Sequence, residues 1–357
     1  MKVIITGGGG FLGFQLCKKL QQIGTLTGPS GEPEPIDEIV LFDAHFSETI
    51  QQGLFDDPTG SARGLSSSLD DGPNLSTSNQ QGSFVEPTLL TRDITERDAV
   101  FDAIDGEDVS VFHLASMVSG ECELDFDNAL SVNLDGGRHV FEATRARGPK
   151  SRLVFASSIA CFGGEAMPDT LTDSTKHWPQ TTYGMTKSIC EQLVNDYSRK
   201  SHFDGRSARL PTVIIRPGKP NAAASSWASG MFREPLSGEP CYLPVHRDQC
   251  HPMTGYRTVV DSLVALHDLD GKLLGNDRAV GLPAHTVTPN EAEFVVRQVG
   301  EERDFLPGLL VDEPDDRIQG IVNQWPTAVD GSRAAKLGLP EPPELNRIVS
   351  EYLEDFG

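Results

Sequence analysis

The segment Lys2-Val-Ile-Ile-Thr-Gly-Gly-Gly-Gly-Phe-Leu-Gly13 constrains this chain more than any other. A β-branched run of strand length stops at four glycines, and an amphipathic stretch then runs from Phe11 to about Ile23. Strand, tight turn and helix in immediate succession open a βαβ unit. Thr6-Gly7-x-x-Gly10-x-x-Gly13 has the spacing that such a turn needs to cradle phosphates. Gly7 allows the tight turn, Gly10 lets the backbone approach a pyrophosphate, and Gly13 lets the helix pack close on the sheet. The helix N-terminus adds amide donors and a partial positive charge. The turn therefore reads as a dinucleotide site, completed by Phe11 and Leu12.

Further strand and helix patterns alternate downstream. Glu38-Ile-Val-Leu-Phe-Asp43 is a second strand, 88–90 a weak third and 109–115 a fourth. The fifth covers 152–157 and the sixth 212–216, with helices over 95–104, 128–147 and 183–199. This alternation predicts an α/β fold, a Rossmann-type doubly wound parallel sheet. The NAD-binding domain is expected at 1–215. A smaller C-terminal substrate lobe, 216–357, is expected to pack partly back on it, above the sheet edge where open α/β sheets bind ligands. Residues 47–86 are rich in Ser, Gly, Asp, Asn and Gln and read as a flexible surface insertion, either an excursion without chemistry or a lid or contact arm.

Asp43 closes the second strand, where a carboxylate can accept hydrogen bonds from both adenosine ribose hydroxyls and repel a 2′-phosphate. That favours NAD over NADP. Asp93 and Ile94 would border the adenine, although a helix cap explains Asp93 nearly as well. Ala115 ends the fourth strand beside the expected nicotinamide ribose, and Pro217 follows the sixth strand on the same side. His113 reads as a packed strand residue rather than a catalyst.

Tyr183-Gly-Met-Thr-Lys187 places a phenol and an ammonium four apart, on one helical face. A free phenol is too weakly acidic to serve as a base at neutral pH. The Lys187 charge and an oxidised nicotinamide would both favour the phenolate. Ser157 and Ser158 end the fifth strand, and alternation points them to opposite faces. Ser158 is the reading for the hydroxyl that orients the substrate oxygen.

The chain carries 52 acidic and 30 basic side chains, a net charge of −22. Such a surface repels nucleic acid and anionic membranes. No apolar run approaches the roughly 20 residues of a membrane span. The six cysteines form no CxxC pair and no metal-ligand spacing, so they read as reduced cytosolic thiols. The first strand begins at residue 2, which leaves no room for a targeting segment. The expectation is a cytoplasmic enzyme with a small-molecule substrate, no metal, no nucleic acid and no membrane.

Together these motifs resemble the extended short-chain dehydrogenase/reductase superfamily, which includes sugar-nucleotide epimerases and dehydratases. The resemblance covers roughly 1–46 and 88–220. It implies a Ser158, Tyr183, Lys187 catalytic set, with Ser158 five positions before Gly163 and Phe162 where a Tyr is common. Asn133 matches the family's helix asparagine near the active site, and the two helices 128–147 and 183–199 match its dimer interface. The stretches 120–127, 209–226 and 229–236, above all Arg216-Pro-Gly-Lys-Pro-Asn-Ala-Ala-Ala-Ser-Ser226, are similar to the D-erythronate dehydrogenases. Those enzymes oxidise a four-carbon sugar acid at C2 with NAD. The 47–86 insertion and the segment 247–256 depart from that pattern.

A small hydroxy acid needs one cation and a few hydrogen bonds. Lys219, Asn221, Ser225 and Ser226 offer these in one loop, Arg257 is a further candidate cation, and Ser116, Ser119 and Gly120 face the same crevice. Competing readings are a nucleotide-sugar epimerase or dehydratase, a tailoring oxidoreductase on a secondary-metabolite hydroxyl or ketone, and a non-catalytic NAD sensor.

Overall fold

The computed structural model describes residues 1–48, 85–218 and 225–357. The expected insertion therefore lies almost wholly outside the described residues. Seven parallel strands form the main sheet: β1 Lys2–Thr6, β2 Glu38–Asp43, β3 Thr88–Thr91, β4 Ser110–His113, β5 Arg152–Ser158, β6 Asp204–Leu210 and β7 Ala279–Gly281. Their order is β7-β6-β5-β4-β1-β2-β3, and each neighbouring pair runs parallel. The order reverses beside β1, the switch point at which doubly wound sheets open a crevice.

Alternation along the strands builds two cores. On one face Val3, Ile5, Ile39 and Leu41 pack with Leu16 and Leu20 of α1 (Phe11–Ile23). On the other, Ile4, Val40 and Phe42 join Val100 of α2 (Arg97–Ala103) and Phe141 of α3 (Gly136–Arg145). Val194 of α4 (Thr182–Arg199) belongs to the second group. Burying each such side chain contributes on the order of 2 kcal/mol.

The helix expected at 128–147 begins earlier, at Phe126–Ala129, and passes through a π-helical segment, Leu130–Asp135, before α3 ends at Arg145. The sixth strand is Asp204–Leu210 rather than 212–216. Pro211 has no amide to donate to a ladder. After it, Thr212–Ile214 pairs with His251–Gly255 in a separate three-stranded sheet completed by His285–Val287. A third core forms there: Ile214 meets Trp227, Met231 and Phe232 of α5 (Ser226–Leu236) and Ile348 and Val349 of the C-terminal helix Leu345–Phe356. The C-terminal half also returns to the main sheet through β7 and through α6 (Tyr256–Asp268), whose Val259 and Leu263 share a core with α1. No helix among the described residues is long and apolar enough to cross a membrane.

Candidate active site

A cleft of about 1550 Å³ opens where the loops after β1, β4 and β5 meet α5 and the 316–326 segment. The glycine turn forms one end. Gly7 holds φ at 75°, in the left-handed region that suits glycine. A Cβ on Gly13 would lie 2.2 Å from the Gly7 carbonyl oxygen, so only glycine lets α1 start this close to the turn. Gly10 is exposed at the crest, no side chain caps α1, and its first turn holds no acid. Gly7, Gly10, Phe11, Leu12 and Gly13 all line the cleft. Uncapped amides at a positive helix end suit a diphosphate, so these residues fit a dinucleotide.

Asp43 stands beside that turn. Its Oδ2 accepts from the Gly9 amide at 2.9 Å and its Oδ1 from the His45 amide at 3.3 Å. Asp93 is exposed and accepts from the Thr95 amide at 2.8 Å in the turn before α2, whose N-cap position is Glu96. Ile94 is buried in the α2–α3 core, and Ala115 backs onto Gly7. These four and Pro217 do not line the cleft. Ser116, Ser119 and Gly120 line it; Lys219 and Asn221 lie outside the described residues. Arg257 lies elsewhere, paired with Asp355 of the C-terminal helix at 2.7 Å.

Ser158, Tyr183 and Lys187 meet on the floor. The two serines at the end of β5 part company as alternation requires. Ser157 Oγ donates to the buried Glu191 at 2.8 Å, whereas Ser158 stays half-buried beside Tyr183. Thr181 caps α4 by accepting from the Gly184 amide at 3.0 Å. Lys187 is buried and donates to the Ala156 carbonyl at 2.9 Å, with its Nζ 5.5 Å from the Tyr183 ring centre. Asn133 ties the parts together: Oδ1 accepts from the Met117 amide at 2.7 Å and Nδ2 donates to Thr186 Oγ1 at 3.4 Å. Thr186 in turn donates to the Tyr183 carbonyl at 2.8 Å.

Burial pushes the Tyr183 phenol up to about 12, opposed by the hydrogen bond with Ser158 and the Arg216 charge. Burial also pushes Lys187 down to about 8. At the phenol, burial outweighs the Ser158 hydrogen bond and the Arg216 charge. His113 is buried against Phe155 and pairs with Thr6 Oγ1 at 2.7 Å. Burial drives it down to about 3, so it stays neutral.

The structure adds residues that the sequence did not single out. Arg216, which heads the Arg216–Ser226 run but was given no role there, lines the cleft with Trp227, His251 and Trp325. His251 is buried, meets Thr212 Oγ1 at 2.6 Å and is pushed down to about 3 by burial. The place of Arg216 at the head of the Arg-Pro-Gly-Lys-Pro-Asn run was the sequence signal that could have marked this wall. Among the described residues no His, Cys, Asp and Glu cluster could hold a metal ion.

Comparison with known proteins agrees with this geometry. The model of the NAD dependent epimerase/dehydratase family matches residues 3–251. D-erythronate dehydrogenase from Cupriavidus necator is 38% identical over 357 residues, covering 100% of this chain and 99% of that protein. The enzyme of the same name from Haemophilus influenzae is 34% identical over 354 residues, with 99% of each covered. The crystal structure of a nucleoside-diphosphate-sugar epimerase from Agrobacterium tumefaciens has a TM-score of 0.80 at 32% identity, covering 100% of this chain and 94% of that one. With its glycine turn, parallel sheet and Tyr183–Lys187 helix matched over most of its length, the chain belongs to the NAD-dependent epimerase/dehydratase family.

Proposed function

We propose that this protein oxidises a small 2-hydroxy sugar acid, D-erythronate or a near relative, to the 2-oxo acid with NAD. The observation that carries this reading is the meeting of Ser158, Tyr183 and Lys187 on the floor of the cleft that the glycine turn enters. The family relationship supports the cofactor and the redox chemistry. The two full-length relatives named D-erythronate dehydrogenase support the substrate.

In this reading the domain at 1–215 binds NAD and the lobe at 216–357 carries most of the substrate side. Gly7, Gly10, Phe11, Leu12 and Gly13 hold the diphosphate, and Asp43 the adenosine ribose. Asp93 and Ile94 flank the adenine, with Ala115 and Pro217 on the nicotinamide side. NAD, when bound, supplies the hydride acceptor and a positive charge that the buried phenol needs. Tyr183 takes the proton of the C2 hydroxyl, and Ser158 orients that oxygen. Lys187, fixed by the Ala156 carbonyl, keeps a cation beside the phenol and grips the nicotinamide ribose. Ser116 and Ser119, with Lys219 and Asn221, bind the substrate's remaining oxygens. Six free thiols support a cytosolic setting, and exposed Ile189 on α4 supports a homodimer built on the long helices.

The test is Tyr183→Phe. It should bind NAD within about two-fold of the parent by calorimetry and lose turnover about 1000-fold. Unchanged turnover would remove Tyr183 from the chemistry. A second reading, transient oxidation with hydride return, draws on the likeness to the Agrobacterium structure titled as a nucleoside-diphosphate-sugar epimerase; it forms no net NADH.

A further inference from the structure

Arg216 is a half-buried cation on the cleft wall. Its backbone is engaged with α5: its amide donates to Ser229 Oγ at 3.3 Å, and its carbonyl accepts from Arg233 at 3.0 Å. Its guanidinium has no ion-pair or hydrogen-bond partner among the described residues. Glu234, on the same wall, pairs through Oε1 with Arg233 at 2.6 Å, while its buried Oε2 has no partner among the described residues. Lys187 is taken by the Ala156 carbonyl, and Arg317 is exposed at the rim. Trp227 supplies an independent sign. It is 6% exposed and lines the cleft, and its indole N–H is buried with no acceptor. Buried donors without acceptors are rare unless a ligand completes them. The first turn of α5, to which Trp227 belongs, has no side-chain cap and no acid.

A guanidinium without a partner among the described residues, and beside it on the cleft wall a tryptophan whose indole N–H has no acceptor, describe an anion site. We propose that Arg216 and Trp227, at the N-terminus of α5, bind the carboxylate of the substrate. This deepens the reading above and rests on it. A 2-hydroxy acid carries its carboxylate on the carbon that bears the reacting hydroxyl, so anchor and base must share one cleft. Arg216 and Tyr183 do, and the Arg216 charge is felt at the phenol. A neutral polyol would leave the guanidinium unanswered. A diphosphate would answer it, and the experiment separates the two anions.

The Tyr183→Phe protein, saturated with NAD, is titrated calorimetrically with erythronate, with its neutral amide and with uridine diphosphate. Erythronate should bind about 100-fold tighter than the amide. Adding Arg216→Gln should abolish that preference, Arg216→Lys should restore part of it, and Trp227→Phe should weaken erythronate about 10-fold. NAD affinity reports whether each variant is folded. An acid-over-amide preference untouched by Arg216→Gln overturns the proposal, as does uridine diphosphate being the ligand whose affinity depends on Arg216. Should Arg216→Gln fail to bind NAD, Trp227→Phe decides: erythronate bound as tightly as before overturns it. Arg216-dependent binding of erythronate without turnover by the unmodified enzyme would instead sink the dehydrogenase reading and leave the anion site standing.

Discussion

Glu191 is a carboxylate with 2% exposure that remains ionised because of what surrounds it. It stands one turn beyond Lys187 on α4 and accepts from Ser157 at 2.8 Å and Arg209 at 2.6 Å, with His177 at 3.1 Å. Burial opposes its charge, but His177 and Arg209 more than offset that and hold its pKa near 2. A carboxyl whose folded pKa lies below its unfolded value stabilises the fold above the unfolded pKa, near 4.5. That stabilisation fades as pH falls from there through about 2. Glu191→Gln should therefore cost roughly 3 kcal/mol at neutral pH, since it strands the buried Arg209 charge. The difference from the parent should shrink between pH 4.5 and 2, as urea melts at stepped pH would read. A pH-independent difference would mean that packing, not charge, is what Glu191 contributes. Because Ser157 and Ser158 are adjacent on β5, this buried network also fixes the strand end that presents Ser158.

At the scale of elements, the β1–turn–α1 unit combines two separable demands. A Cβ on Gly13 would strike the Gly7 carbonyl at 2.2 Å, and backbone cannot yield as a side chain can. On Gly10 the nearest atom would be 3.3 Å away. Gly13→Ala should lower stability by about 1–3 kcal/mol and weaken NAD at least 10-fold. Gly10→Ala should lose less stability than Gly13→Ala, since the Gly7 carbonyl at 3.3 Å need give only slightly, yet still bind NAD more weakly, because its Cβ obstructs the approach of the diphosphate. Thermal melts and NAD titrations together check this; equal melting of the two variants would contradict it. This unit was legible in sequence because β-branched residues and glycines encode it locally. α1, at Phe11–Ile23, and α4, ending at Arg199, were read with the same ends. β6 was not legible. Asp204-Gly-Arg-Ser-Ala-Arg-Leu210 looks polar, and its arginines are buried because partners answer them: Arg209 meets Glu191, distant in sequence, while Arg206 pairs with Asp204 on the same strand and reaches the Leu266 carbonyl at 3.1 Å. Trp227 and His251 were hidden likewise, since short strands and α5 bring them to the cleft from segments with little periodicity.

Over the whole molecule, a net charge of −22 opposes an anionic substrate. A local cation such as Arg216 works against that field at short range, where salt screens it least. With a four-carbon acid, kcat/KM should rise a few-fold from low to physiological ionic strength, as the repulsive field is screened and the anchor is not. A steep fall with added salt would mean that the cleft itself steers the substrate in. The reaction as a whole separates lasting oxidation from hydride return. Purified protein, excess NAD and limiting D-erythronate are followed by NADH absorbance, with the acid counted by chromatography. The expected result is about one NADH and one 2-oxo acid formed for each acid consumed. No accumulated NADH with any four-carbon aldonate, together with turnover of a nucleotide sugar, would contradict the account.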